Sequence, residues 1–80
     1  MTKLILYTKP SCHLCDEMKI ILRSMKKDLE FDLEEFNIET DERLYEKYKE
    51  KIPVLMIDNR IFAKFRLKEE KLRRKLLCNL

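Results

Sequence analysis

Cys12-His13-Leu14-Cys15 is the segment of this sequence whose residue types and spacing can do chemistry. Two thiols three positions apart are neighbours on one face of a helix. Such a pair can exchange electrons with a disulfide: one thiolate attacks, and the second resolves the mixed disulfide in an intramolecular step. Only the thiolate is nucleophilic, and the unpaired N–H groups and positive dipole end at a helix N-terminus favour it. Ahead of the pair, Leu4-Ile5-Leu6-Tyr7 reads as a short buried strand. Behind it, Leu14, Met18, Ile21, Leu22, Met25 and Leu29 recur at helical spacing. The thiols therefore stand where a strand hands over to a helix. Lys9, and His13 when protonated, favour thiolate at Cys12, while Asp16 opposes ionisation of Cys15. Two other readings of the same residues remain open. One is a pair of structural thiols. The other is a metal or Fe–S module in which Cys12 and Cys15 act with His13 and Cys78, although structural zinc usually takes two ligand pairs and only one is present. The dithiol reading needs no metal and no cofactor.

The rest of the composition bounds what surrounds the pair. Eighty residues make one small domain, taken as 1–80, with 45% hydrophobic residues to fill a core. Charged residues reach 41%, yet the net charge is only +3, a balance that argues against a dedicated nucleic-acid binder. No apolar run approaches the roughly 18 residues that would span a bilayer. The apolar stretch behind Met1-Thr2-Lys3 is too short for a signal peptide, and three cysteines are too few for a secreted disulfide scaffold, so a cytoplasmic location is expected; the chain is taken as a monomer. There is no glycine anywhere.

Along the chain, Phe31 and Leu33 alternate with charged residues, then Phe36 and Ile38 do so in the opposite phase, which predicts a bulge at Glu34-Glu35 or a strand beginning there. Thr40 is the expected N-cap of a second helix whose stripe is Leu44, Tyr45, Tyr48 and Ile52. Pro53 ends it. Val54–Ile57 and Arg60–Phe65 read as strands joined by Asp58-Asn59, both of which tolerate the positive φ of a type I′ turn. A last helix is expected from about Lys68 to Leu77, with Leu72, Leu76, Leu77 and Leu80 apolar. The order β-α-β-α-β-β-α implies an α/β fold: a right-handed parallel crossover first, then an antiparallel hairpin, giving a four-stranded mixed sheet with helices on both faces.

That order, with Cys12-His13-Leu14-Cys15 after the first strand and Ile52-Pro53 before the third, resembles the thioredoxin fold, and its short glutaredoxin-like branch in particular. The pieces that carry the resemblance are Tyr7-Thr8-Lys9-Pro10-Ser11-Cys12-His13-Leu14-Cys15 and Lys51-Ile52-Pro53-Val54-Leu55. It implies a thiol–disulfide oxidoreductase serving electron transport and cell redox homeostasis. Cys12 would be the exposed nucleophile and Cys15 the resolving thiol. Pro53 would be cis, leaving the Ile52 backbone to pair with a bound peptide or glutathione, with Lys9, His13 and Leu14 completing the substrate-binding set. The implied partners are disulfide-containing proteins and a thiol reductant, either a thioredoxin-type reductase or glutathione. The chain departs from the family at two places. His13-Leu14 replaces the usual Pro-aromatic between the cysteines, and Ala63-Lys64-Phe65-Arg66 stands where a Gly pair lets glutathione approach the backbone. These departures favour a reductase-fed reducer of protein disulfides over a glutathione-fed one.

Overall fold

The computed structural model describes residues 2–77. Within them the elements run β1 (Thr2–Thr8), α1 (His13–Met25), β2 (Phe31–Asn37), a 3-10 turn (Ile38–Thr40), α2 (Glu42–Tyr48), β3 (Val54–Ile57), β4 (Arg60–Lys64) and α3 (Glu69–Leu77). The sheet order is β2-β1-β3-β4, with β1 parallel to β2 and antiparallel to β3, and β3 antiparallel to β4. This is the mixed four-stranded α/β sheet expected from the sequence.

Alternation along β1 sorts the core into two halves. Leu4 and Leu6, with Leu55, Ile57 and Phe31, meet Met18, Leu22 and Met25 of α1 and Leu72 and Leu76 of α3. Tyr7 and Val54 meet Ile38 of the 3-10 turn and Tyr48 of α2 in a second cluster that also holds Cys15 and Ile52. Helices therefore cover both faces. Tyr7 is the keystone of the second cluster, its ring stacked on Tyr48 at 4.8 Å between centroids and 6.1 Å from Phe36.

The phase change in β2 is not a bulge. Thr2 to Thr8 pair with Phe31 to Asn37 in unbroken register. The edge strand simply exchanges the face it buries: Phe31 and Leu33 pack against the α1 side, whereas Phe36 turns to Tyr7 on the other. The sheet's irregularity lies in β4 instead, where Ala63 pairs Leu55 and Ile61 pairs Met56, leaving Phe62 as the extra residue. Thr40 is not the N-cap of α2. Asp41 is: its carboxylate accepts from the N–H groups of Arg43 (2.8 Å) and Leu44 (3.3 Å), while the Thr40 hydroxyl donates back to the Asn37 carbonyl. The carboxylate also suits the positive end of the helix dipole, which a hydroxyl answers less strongly. Tyr45 and Leu77 lie on the solvent side rather than in the apolar stripes. The Asp58-Asn59 hairpin has positive φ at both residues, as expected (51° and 65°). Leu80 and Cys78 lie outside the described residues.

Candidate active site

The loop from Thr8 to Cys12 turns the chain from β1 into α1 through Ser11, whose φ is 59°. Cys12 is the N-cap of α1, with extended backbone (φ −108°, ψ 109°). Its carbonyl accepts the first helical bond from Asp16 N–H at 3.1 Å. Its sulfur accepts from the N–H of Cys15, also at 3.1 Å. The sulfur thus takes the place of the Ser or Asp oxygen that usually satisfies an orphan donor at a helix start. Cys15 lies one turn in, its Cα 5.2 Å from that of Cys12, and the two sulfurs are bonded as a disulfide. The pair is unequal in access: Cys15 is fully buried, whereas Cys12 is partly open to solvent.

Ile52 and Pro53 close the buried side. Their peptide bond is cis, as the resemblance implied, and Ile52 packs in the same cluster as Cys15, with Cys12 against it. Neither the N–H nor the C=O of Ile52 takes part in the described turn and loop hydrogen bonds. Lys9 is half-buried in the loop before Cys12. His13 projects away from the sulfurs, 87% exposed, with Nε2 3.5 Å from Glu17 Oε1. Leu14 sits on the outer side of α1, in a groove it shares with Ile21 and Phe65. The structure therefore gathers Cys12, Cys15, Ile52 and Pro53 into one site and sets His13 to one side of it. Among the described residues no three His, Cys, Asp or Glu side chains converge as a metal would require.

Two contributors were not among the expected site residues. Glu17 holds His13 on one side and Arg66 on the other, its second oxygen 3.8 Å from the guanidinium. The i,i+4 spacing from His13 was the available signal. Phe65 is the second. Its N–H donates to the Pro53 carbonyl at 2.9 Å, and its φ is 66°. The N–H of Arg66 reaches back to the Lys64 carbonyl at 2.7 Å, closing a three-residue turn around Phe65. A bulky residue in this conformation is an outlier that costs about 1–3 kcal/mol and persists only where its surroundings enforce it. Here the enforcing contact is the proline of the site.

The sheet order, the cysteine pair at the start of α1 and the cis-proline define a thioredoxin-like protein. Residues 3–77 match the family model described as glutaredoxin-like domain (DUF836), and the chain belongs to that family. It is 38% identical over 72 residues to "Glutaredoxin-like protein YDR286C homolog" of Dictyostelium discoideum, covering 82% of this chain and 67% of that protein. Among solved structures it resembles protein Ne2328 of Nitrosomonas europaea at a TM-score of 0.81 and 32% identity, covering 94% of this chain and 91% of that one. It also resembles a point mutant of the thioredoxin-like protein BC3987, at a TM-score of 0.65 and 30% identity over 98% and 97% of the two chains. Fold, family and the adjacent cysteines together support a redox role.

Proposed function

We propose that this protein is a dithiol–disulfide oxidoreductase that reduces the disulfides of proteins or small molecules through Cys12 and Cys15. The observation that carries the reading is the asymmetry of the pair: Cys12 is open and its sulfur accepts a helix-start N–H, while Cys15 is buried behind it. An N–H aimed at sulfur favours thiolate, so Cys12 is the nucleophile. Its thiolate attacks one sulfur of the substrate disulfide, forming a mixed disulfide and expelling the other substrate sulfur as thiolate. Cys15, as thiolate, then attacks the Cys12 sulfur. The Cys12–Cys15 disulfide forms, the second substrate thiolate leaves, and two electrons have passed to the substrate. An external thiol donor returns the pair to the dithiol. Leu14, Lys9 and the Ile52-Pro53 backbone would seat the substrate beside Cys12, and His13 would add positive charge when protonated. In this reading the protein works as a cytoplasmic monomer, where reductants keep regenerating the dithiol.

The test compares reduction of a protein disulfide with reduction of a glutathione mixed disulfide, each with a thioredoxin-type reductase system and with glutathione as donor. Cys12→Ser should abolish turnover in every arm, and the reductase-fed protein disulfide should be the faster reaction. Full activity in Cys12→Ser removes the nucleophile assignment. One bound metal or cluster per chain or per dimer after anaerobic purification would replace the redox reading with a metal-binding one.

A further inference from the structure

The charge of this chain is distributed very unevenly. From Arg60 onward it carries eight Lys and Arg against two Glu, a balance of +6, whereas the residues before Arg60 carry ten against thirteen, a balance of −3. The fold brings this basic portion to the site, because Phe65, just after β4, is hydrogen-bonded to Pro53. Lys64, Lys68 and Lys71 are exposed there and have no salt-bridge partner among the described residues. Arg66 shares Glu17 with His13. The acidic groups of α3 do not neutralise them, since Glu70 is engaged by Arg74 at 3.8 Å and Glu69 is a single further charge.

Beneath these cations lie two neighbouring hollows. A hollow of about 250 Å³ lies between α1 and the β4–α3 corner, with Leu14, Met18, Ile21 and Phe65 among its walls; Arg66 and Lys68 line it too, as does Glu17, whose carboxylate is taken up by Arg66 and His13. A second, of about 170 Å³, continues past Phe62 and Ala63 to Lys71 and shares Arg66 and Lys68 with the first. Neither cysteine lines the first hollow; its link to the site is Phe65, on its wall, whose N–H is bonded to Pro53 behind the cysteines. Phe65 is 44% exposed there, a rigid aromatic surface of the kind that anchors protein contacts.

We infer that the β4–α3 corner is a docking surface for an acidic polypeptide segment next to the disulfide of a protein substrate. The claim rests on the oxidoreductase reading and names the substrate class. Its physical basis is charge complementarity. Unneutralised surface cations raise the local concentration of an anionic partner and its association rate, and salt screens the effect. The apolar side chains between the acidic ones settle against Leu14, Ile21 and Phe65, which places the adjacent disulfide over Cys12.

The experiment uses three synthetic peptides with one identical disulfide loop and flanks rich in Glu, Ser or Lys. Dithiothreitol serves as donor, and neutral 2-hydroxyethyl disulfide reports basal exchange. The expected result at low salt is a kcat/KM for the Glu-flanked peptide about tenfold above the Ser-flanked one, with the Lys-flanked peptide slowest. The ratio should collapse toward unity near 0.5 M NaCl and fall several-fold in the Lys68→Gln, Lys71→Gln double variant. Equal rates for the three peptides, with 2-hydroxyethyl disulfide still reduced, would overturn the docking surface and leave the oxidoreductase reading standing. Failure to reduce any disulfide would remove both. A single-stranded oligonucleotide that inhibits the Glu-flanked reaction more strongly than a cysteine-free acidic peptide of equal charge would assign the surface to nucleic acid and overturn the inference.

Discussion

The backbone N–H of Phe65 donates to the carbonyl oxygen of Pro53 at 2.9 Å. This single bond ties the corner between β4 and α3 to the cis-proline behind the cysteines. It also explains why a phenylalanine adopts a φ of 66°: reaching Pro53 while the Arg66 N–H closes back on Lys64 requires the left-handed region. Glycine would do so without steric cost, but the chain contains none.

The bond predicts an unusual order of stabilities at position 65. Phe65→Ala and Phe65→Gly both remove the half-exposed ring, but only glycine relieves the Cβ clash. Glycine normally destabilises through the entropy of the unfolded chain. Here Phe65→Gly should be more stable than Phe65→Ala by about 1 kcal/mol, read as the difference between two urea melts with equal slopes. An alanine variant as stable as the glycine variant, or more so, would mean that position 65 stores no strain.

Much of this arrangement was legible in the residues. The strand before Cys12, the helix after it and the Asp58-Asn59 hairpin follow from apolar period and turn chemistry, which are local. What was not legible depended on partners distant in sequence. The Phe36 phase change looked like a bulge because nothing local says that Tyr7 waits on the opposite face. The true irregularity at Phe62 arises from how β3 and β4 align, which no single strand encodes. Thr40 and Asp41 are both good caps, and the 3-10 turn that consumes Thr40 decided between them. At the site, Cys12, Cys15 and Pro53 were readable from motif and order. Phe65 was readable only as part of the stretch that replaces the Gly pair; its bond to Pro53 was not, because that role comes from an N–H that any residue carries.

Cys15 is fully buried one turn behind Cys12, which predicts a separation of the two exchange steps. Cys15→Ser should still let Cys12 attack but not let the mixed disulfide resolve. Intact-mass spectrometry after exposure to a disulfide-containing protein should therefore find a covalent adduct on Cys12 that dithiothreitol removes. Absence of any adduct would show that Cys15 is not the resolving thiol of a Cys12 mixed disulfide. Both single variants also keep Cys78, so the comparison is made in a Cys78→Ala background; there Cys12→Ser should give no adduct of comparable yield, since the one thiol left, at position 15, is enclosed.

The cap of α2 can be tested by a pair of alanine substitutions. Asp41 satisfies two orphan N–H groups of a helix only seven residues long, which packing through Tyr48 must otherwise hold. Asp41→Ala should cost about 1 kcal/mol by urea denaturation. Thr40→Ala removes only an exposed hydroxyl bond to Asn37 and should cost less than half as much. The reverse order would return the cap to Thr40.

Tyr7 supplies a prediction at alkaline pH. Burial against Tyr48, with a smaller contribution from repulsion by Tyr48 when ionised, pushes its phenol above the usual value of 10.0, and Lys47 offsets this only in part. Folding thus favours the protonated phenol, and the folded protein binds more protons than the unfolded chain once the pH exceeds about 10. The contribution is fully present below that pH and is lost as the pH rises through the raised folded value. Lys3, raised by its hydrogen bond and ion pair with Glu34, adds a loss of the same sign from about pH 10.5. Tyr7→Phe keeps the ring stacked on Tyr48 and removes only the ionisable hydroxyl. Its melting temperature should therefore fall less than that of the unmodified protein between pH 9 and 11.5, with the curves parallel below pH 9. In the unmodified protein, absorbance at 295 nm should show a phenol phase displaced above pH 10 that vanishes in Tyr7→Phe. Parallel melting curves across the whole range would show that Tyr7 ionises in the folded state as readily as it does in the open chain.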